Sequence, residues 1–499
     1  MRGRIKADLA PEMARYIAGP GIAADNERSF YNMADINRAH VLMLVEEGII
    51  DKEVGAGLLK TLNHMREEGS SALEMHAEYE DYYYNIEKII ISRVGMDIGG
   101  KMHTARSRND LGSTMLRMNV RDSLIKIIPM VYELEKVLLN MAEKNKDTIL
   151  TGYTHMQPAQ PISLAYYLIA VAEAIERDIQ RIQDALNRMN YCTLGSCAFA
   201  GTSFHINRFS TAKRLGFFGP VHNAMDAVAS RDYLQEITAA FTILATDISR
   251  LCADFYYWCT DEFAYFEMDD SFAVCSSIMP QKKNPTPFEH VRGKCAHMLA
   301  AFTSVTTVLK GIAFGHNRDV GGEAPHLYWD AYEQMEASLA VLTGALRTIK
   351  VRKDRMEYRV NANFCTVTEL ADELAKKEKL PFRVAHEIVA EIVANRIENG
   401  KTCLDIDPAV LDEFSEKYVG RKLNWDKSYL QNILDARRSV LNKGSYGACS
   451  IEECSAMIED INGRLSRDKL SFDGFLTEMK VNRSELDEKI ATLVEALSK

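Results

Sequence analysis

The chain has 499 residues, of which 47% are hydrophobic and 26% charged, and its formal net charge is −10. That length allows about three domains and a large buried core. The acidic balance argues against nucleic-acid or anionic-membrane partners, whose readers carry basic stripes, so an anionic ligand needs a local cluster of cations and donors.

At the start, Met1 to Asp8 carries charges with no apolar stretch behind them, which predicts no secretory signal. No run of about 18 apolar residues occurs, so no membrane span is expected. The ten cysteines form no CxxC pair. They read as reduced thiols of a cytoplasmic protein rather than as disulfides or a zinc site. Residues 1–110 are expected to hold short helices and a Gly-containing approach, Val94 to Gly100.

Long helices dominate the middle. Leu164, Leu168, Val171, Ile175, Ile179, Ile182, Leu186 and Met189 recur at steps of three and four with no Gly or Pro between. That spacing predicts one apolar stripe on a long helix. His222 to Tyr265 also lacks Gly and Pro, and Leu234, Ile237, Phe241, Leu244, Ile248, Leu251 and Phe255 trace a heptad seam. A third long helix is expected from Phe288 to about Lys310. Such faces, with Tyr166, Tyr167, Tyr256, Tyr257 and Trp258 nearby, exceed what one small bundle hides, which predicts a bundle extended by other subunits. No 30–50-residue period supports a solenoid instead. Shorter helices follow from about Asn361, with a turn at Leu380-Pro381-Phe382, and a charged amphipathic tail begins near Ile451. The expected fold is mainly α in three domains: 1–110, 111–360 with the long-helix bundle, and 361–499.

Three polar stretches interrupt the helical rhythm: Thr104 to Asp110 (TARSRND), Thr151 to Pro161 (TGYTHMQPAQP) and Ser276 to Pro285 (SSIMPQKKNP). The third, with two serines, two lysines and an asparagine before a helix start, is either a solvated capped loop or an anion site. No phosphate loop, HExxH or cysteine cluster appears, so no cofactor or metal is expected.

The third stretch resembles the GSSxMPxKxN signature of the fumarase/aspartase superfamily. The first two resemble the argininosuccinate lyase branch, and similarity continues through Leu194 to Thr202, Asn223 to Asp232 and Glu369 to His386. The resemblance implies a homotetramer with a 20-helix core and active sites assembled from three subunits. It also implies β-elimination of a succinyl-amine, in which a doubly charged carboxylate needs preorganised donors. By position, Lys282 and Asn284 match the dianion contacts. Ser276 matches the base, or else only hydrogen-bonds substrate. His155 and Glu289 match a proton-handling pair, acting directly or through water. Ser107, Asn109 and Thr154 match substrate contacts; Arg108, Gln157, Ser277 and Met279 join them, with Arg108 read as an ion-pair partner as well.

Against the branch pattern YNKDLQEDK, the chain reads His316-Asn-Arg-Asp-Val-Gly-Gly-Glu-Ala324. Tyrosine, glutamine and lysine at the arginine end thus become His316, Gly321 and Ala324. Tyr83 stands where a histidine is usual, and Asn37 where a serine is. Groups for the fumarate half are kept and those for the amine half are changed, which predicts a different amine, with Tyr82, Tyr83 and His316 shaping its pocket. An aminopolycarboxylate such as ethylenediamine-disuccinate is one example. Argininosuccinate itself is the alternative, and adenylosuccinate lyase and fumarase fit less well. A silent crystallin-like structural protein is the reading from another class.

Overall fold

The computed structural model describes residues 7–497; the charged stretch Met1 to Lys6, on which the signal-peptide reading partly rests, lies outside them. Helix α1 spans Gly19–Glu46, α2 Lys52–Glu68 and α3 Tyr82–Val94. The expectation of short helices before residue 110 is therefore corrected. From Phe30 to Val45 nearly every side chain of α1 except Tyr31 is buried, including Asp35, Asn37, Arg38 and His40. A helix covered on all sides shows no apolar stripe for sequence periodicity to find. Some of its polar groups find partners: Arg38 Nη1 donates to Asp35 at 2.9 Å, and His40 Nε2 lies 2.8 Å from the Thr104 carbonyl, while the Asn37 amide has none.

Helix α4 covers Arg108–Lys144 and starts inside the first motif. Ser107 is its N-cap, completed as a capping box by Asp110. The helix runs through Pro129, which concealed its length in the sequence. Strands β1, Ile149–Thr154, and β2, Gln157–Ser163, pair antiparallel and contain the second motif. Helix α5, Leu164–Met189, is capped by the Ser163 hydroxyl and buries the predicted stripe, with Val171 only partly covered.

The run from His222 to Tyr265 is not one helix. Asn223 caps a short α6, Ala224–Ala229, and the chain breaks at Ser230-Arg231 before α7, Asp232–Trp258. There Arg231 Nη1 donates to the Ser230 carbonyl at 2.6 Å, a local bond that competes with helix continuation. Strands β3, Val274–Cys275, and β4, Lys283–Asn284, bracket the signature loop. Helices α8, Thr286–Leu309, and α9, Ala324–Thr348, close the bundle. Residues 361 onward hold shorter helices, one of them, α10 (Phe382–Glu398), beginning after Pro381 as expected. The tail is a single 46-residue helix, α11, Ile451–Ala496.

All seven seam residues of α7 are buried within the one chain, in a bundle where α7 packs against α5, α8 and α9. Neighbouring long helices of the same chain cover this seam, so its burial needs no other subunit. Phe255 stacks on Phe266 at a centroid distance of 4.4 Å. Cutting it to alanine would cost roughly 3–5 kcal/mol.

Four separate cores result among the described residues. One is the long-helix bundle, one lies under α1–α3, a third gathers Leu370 to Leu434, and a small fourth joins Ile149, Val360, Cys365, Ala436, Val440 and Cys449. Helix α11 enters two of them, with Cys454 to Phe472 in the bundle and Leu486 and Ile490 in the N-terminal core. It docks at Gly216, whose φ of +74° and lack of a side chain leave room for Met479. All ten cysteines are free, and only Cys275 is exposed. No helix among the described residues is long and apolar enough to cross a membrane.

Candidate active site

The first motif is fixed by Asp110, a fully buried carboxylate. Its Oδ1 accepts N–H groups of Ser107 and Leu111, both at 2.9 Å; its Oδ2 accepts those of Gly195 at 2.8 Å and Cys197 at 2.9 Å. Burial pushes this carboxyl up to about 6, opposed by the bonds from Ser107, Cys197 and Gly195. One side chain thereby ties the start of α4 to the Leu194–Thr202 loop. Asn109, the next residue back, donates to the Ala198 carbonyl at 3.1 Å.

Beside this joint lies a cavity of about 460 Å³. Its wall includes Arg108 and Asn109 from α4, Tyr82 and Tyr83 from α3, and Asp25 and Arg28 from α1. Arg231, His316, Arg318 and Trp329 complete the polar lining that matters here. Of the sequence-predicted groups, Arg108, Asn109 and His316 meet in this space, together with Tyr82 and Tyr83. Arg108 Nη1 pairs with Asp81 at 2.5 Å, its guanidinium 4.1 Å from the centre of the Tyr84 ring. Tyr83, in the usual histidine position, donates to Glu87 at 3.1 Å and lies 2.7 Å from His103 Nδ1. Burial, then Arg106 and Arg108, lower His103 to about 4, so it is neutral at pH 7 and can share that phenol proton. His316 is also lowered, by burial first and then by Arg231, Arg318 and Arg108.

The other predicted residues lie outside this wall. His155 and Met156 form the two-residue turn of the β1–β2 hairpin, with φ of 52° and 58°. Two left-handed residues match the twist of the strands, but glycine or asparagine normally takes such places, so the tip is strained. Thr154 and Gln157 are the paired residues that flank it. In the signature loop, Ser276 Oγ accepts the N–H of Ile278 at 3.3 Å and of Met279 at 3.0 Å. Ser277, Met279 and Lys282 are exposed, and Asn284 ends β4 opposite Val274. Glu289 sits in the first turn of α8. His155 and Glu289 make no hydrogen bond or ion pair with each other inside one chain. Ser107 holds its cap position, its Oγ accepting Asn109 N–H at 3.3 Å.

Sequence reasoning assigned no role to Asp25, Arg28, Asp110 or Trp329. Asp110 was within a quoted motif, and its placement after a capping serine is the signal that marks it. Asp25, Arg28 and Trp329 lie far apart in the chain and carry no local pattern.

A helical bundle whose long helix follows a Ser-Ser-x-Met-Pro-x-Lys-x-Asn loop defines a lyase of the fumarase/aspartase fold. A lyase family model matches residues 33–299, and a model of the argininosuccinate lyase C-terminal region matches residues 364–441. Argininosuccinate lyase 1 of Shouchella clausii is 36% identical over 468 residues, 94% of each chain. Argininosuccinate lyase of Methanosarcina mazei is 39% identical over 435 residues, 87% of this chain and 85% of its own. An EDDS lyase solved with formate superposes with a TM-score of 0.88 at 30% identity, covering 99% of this chain and 98% of its own. A class II fumarase of Schistosoma mansoni shares the fold alone, with a TM-score of 0.66 at 17% identity, covering 87% of this chain and 93% of its own. The chain belongs to the argininosuccinate lyase family, a carbon–nitrogen-cleaving branch of the fumarase/aspartase superfamily.

Proposed function

We propose that the protein eliminates the amine from an N-substituted aspartate and releases fumarate, within a homotetramer. The observation that carries this reading is the setting of Ser276, whose hydroxyl oxygen already receives two backbone N–H groups. Such donors stabilise an alkoxide, which a serine must become to act as a base. Ser276 takes the proton from the carbon next to a carboxylate. Lys282 and Asn284 hold the resulting doubly charged carboxylate, and the electrons of the C–N bond leave with the nitrogen. His155 and Glu289, brought together from different subunits, return a proton to the amine directly or through water. Ser107, Asn109, Thr154 and Gln157 orient the succinyl half.

Support for the tetramer comes from the unfinished state of this machinery in one chain. Ile278 is 83% exposed, Met279 41% and Met156 64%, in loops whose polar neighbours belong to the proposed chemistry. Apolar side chains clustered around functional groups mark a surface that another chain covers.

The amine differs from arginine in this reading, because His316, Gly321 and Ala324 replace the groups that resemblance places at the arginine end. Argininosuccinate is the second reading, favoured by relatives of that name at 36% and 39% identity. The test follows fumarate absorbance while the purified enzyme meets argininosuccinate and other N-substituted aspartates, with sedimentation giving the particle size. Turnover of argininosuccinate alone restores the second reading. Release of fumarate from none of them, or a monomer with full activity, defeats the proposal.

A further inference from the structure

The charge of the cavity wall is lopsided. Four arginines line it, Arg28, Arg108, Arg231 and Arg318, against two carboxylates, Asp25 and Asp81. Asp81 is committed to Arg108 at 2.5 Å. Burial pushes the Asp25 carboxyl up to about 6, so it compensates weakly on the acid side of neutrality. Arg28 has no ion pair among the described residues and instead lies over the Trp329 ring at 4.0 Å, with Glu27 and Glu333 in its vicinity. Arg231 donates only to neutral oxygens, Ser230 O at 2.6 Å, Ser113 Oγ at 2.9 Å and Val228 O at 3.5 Å. Arg318 has no ion pair among the described residues either.

Among these guanidiniums stands His316, its Nδ1 buried and without a hydrogen-bond partner. Gly321 packs against the ring, and a Cβ there would come within 3.4 Å of His316 Cε1. A buried imidazole nitrogen without a partner is costly, and the exposed Arg28 and Arg318 beside this cavity carry positive charge with no anion paired to either among the described residues. A carboxylate resolves both, since arginine forks and an imidazole N–H match its oxygens.

Resting on the elimination reading above, we infer that the departing amine carries its own carboxylate and no guanidinium, and that Arg28, Arg318 and His316 hold that carboxylate at the cavity rim. The substrate class is then an N-(carboxyalkyl)aspartate. The reaction stays balanced as before: one proton leaves carbon, the C–N pair goes to nitrogen, and one proton arrives there. Arg28, Arg318 and His316 touch the amine half and set specificity without entering the bond changes.

The experiment compares kcat/KM of the full-length enzyme for N-carboxymethylaspartate, N-ethylaspartate and argininosuccinate. The carboxymethyl compound is expected to lead each of the others by roughly tenfold or more, mainly through KM. Arg318→Gln is expected to shrink that lead roughly 10- to 100-fold, and Arg318→Lys to restore part of it. Arg28→Gln gives a second reading from the opposite wall, and thermal melts show that both variants are folded. A preference for N-ethylaspartate or argininosuccinate, or an unchanged preference in both glutamine variants, overturns the inference while leaving the elimination reading intact. Absence of fumarate from all three substrates overturns both.

Discussion

Asp110 and Ser276 sit at opposite extremes of construction. Asp110 is fully buried and holds four backbone N–H groups drawn from the start of α4 and the Leu194–Thr202 loop. Ser276 lies in a short loop between two-residue strands, with exposed neighbours on both sides. The first region is finished when the chain folds. The second has its hydroxyl preset by two N–H groups but waits for its surroundings. In the proposed reading, rigid wall and open loop divide the work: one fixes where the ligand sits, and the other supplies the base once neighbouring subunits enclose it.

The comparison is most exposed to substitution at Ser276, the proposed base. Ser276→Ala is expected to lower fumarate release by roughly 10²- to 10⁴-fold while leaving the melting temperature unchanged, because the loop supports little of the fold. Initial rates with a parallel melt check it, and an unaltered rate would remove Ser276 from the mechanism. Asp110→Asn should do the reverse in emphasis. An amide turns N–H groups toward donors that lack any other acceptor, costing about 2–4 kcal/mol in denaturant unfolding.

A site far from both serves as a control. Glu135, in α4, is fully buried with neither carboxylate oxygen hydrogen-bonded, and burial, then Glu176 and Asp468, raise it to about 8. A folded value above the ordinary glutamate value of 4.5 means the native state holds the proton more tightly. Its contribution is fully present below about 4.5 and is lost as pH rises through about 8. Glu135→Gln should therefore raise the melting temperature at pH 9 relative to the parent and change it little near pH 5. The smallest effect belongs to the hairpin tip. Met156→Gly relieves the φ of 58° and should add about 0.5–1 kcal/mol, seen as a shifted denaturation midpoint. A destabilised variant would show that the tip carries no backbone strain.

Much of the bundle could be read from spacing. The stripe of α5 and the seam of α7 are one-sided, and one-sided burial leaves a periodic trace. Helix α1 left none because its Phe30–Val45 stretch is enclosed almost all round, and α4 was hidden by Pro129. The signature loop and hairpin tip were legible as strings, since contiguous residues carry them. The cavity was legible only in part: Arg108 and Asn109 came from a matching motif, and Tyr82, Tyr83 and His316 from departures from the branch pattern. Arg28 and Trp329, about 300 residues apart, meet only because α1 and α9 both pack on α4, which no local pattern encodes.

The 46-residue helix α11 is embedded at one end in the long-helix bundle and at the other beneath α1–α3. A rod held in two cores makes the loosening of either one felt by the other, since fraying at Leu486 and Ile490 releases the same helix that Ile461 and Leu465 anchor. The wall that carries Arg28 and the bundle that carries Ser276 therefore melt as a linked unit. Shortening the chain ahead of Leu486 would uncouple them, leaving a bundle that keeps its signature loop beside a cavity wall that no longer stays in place.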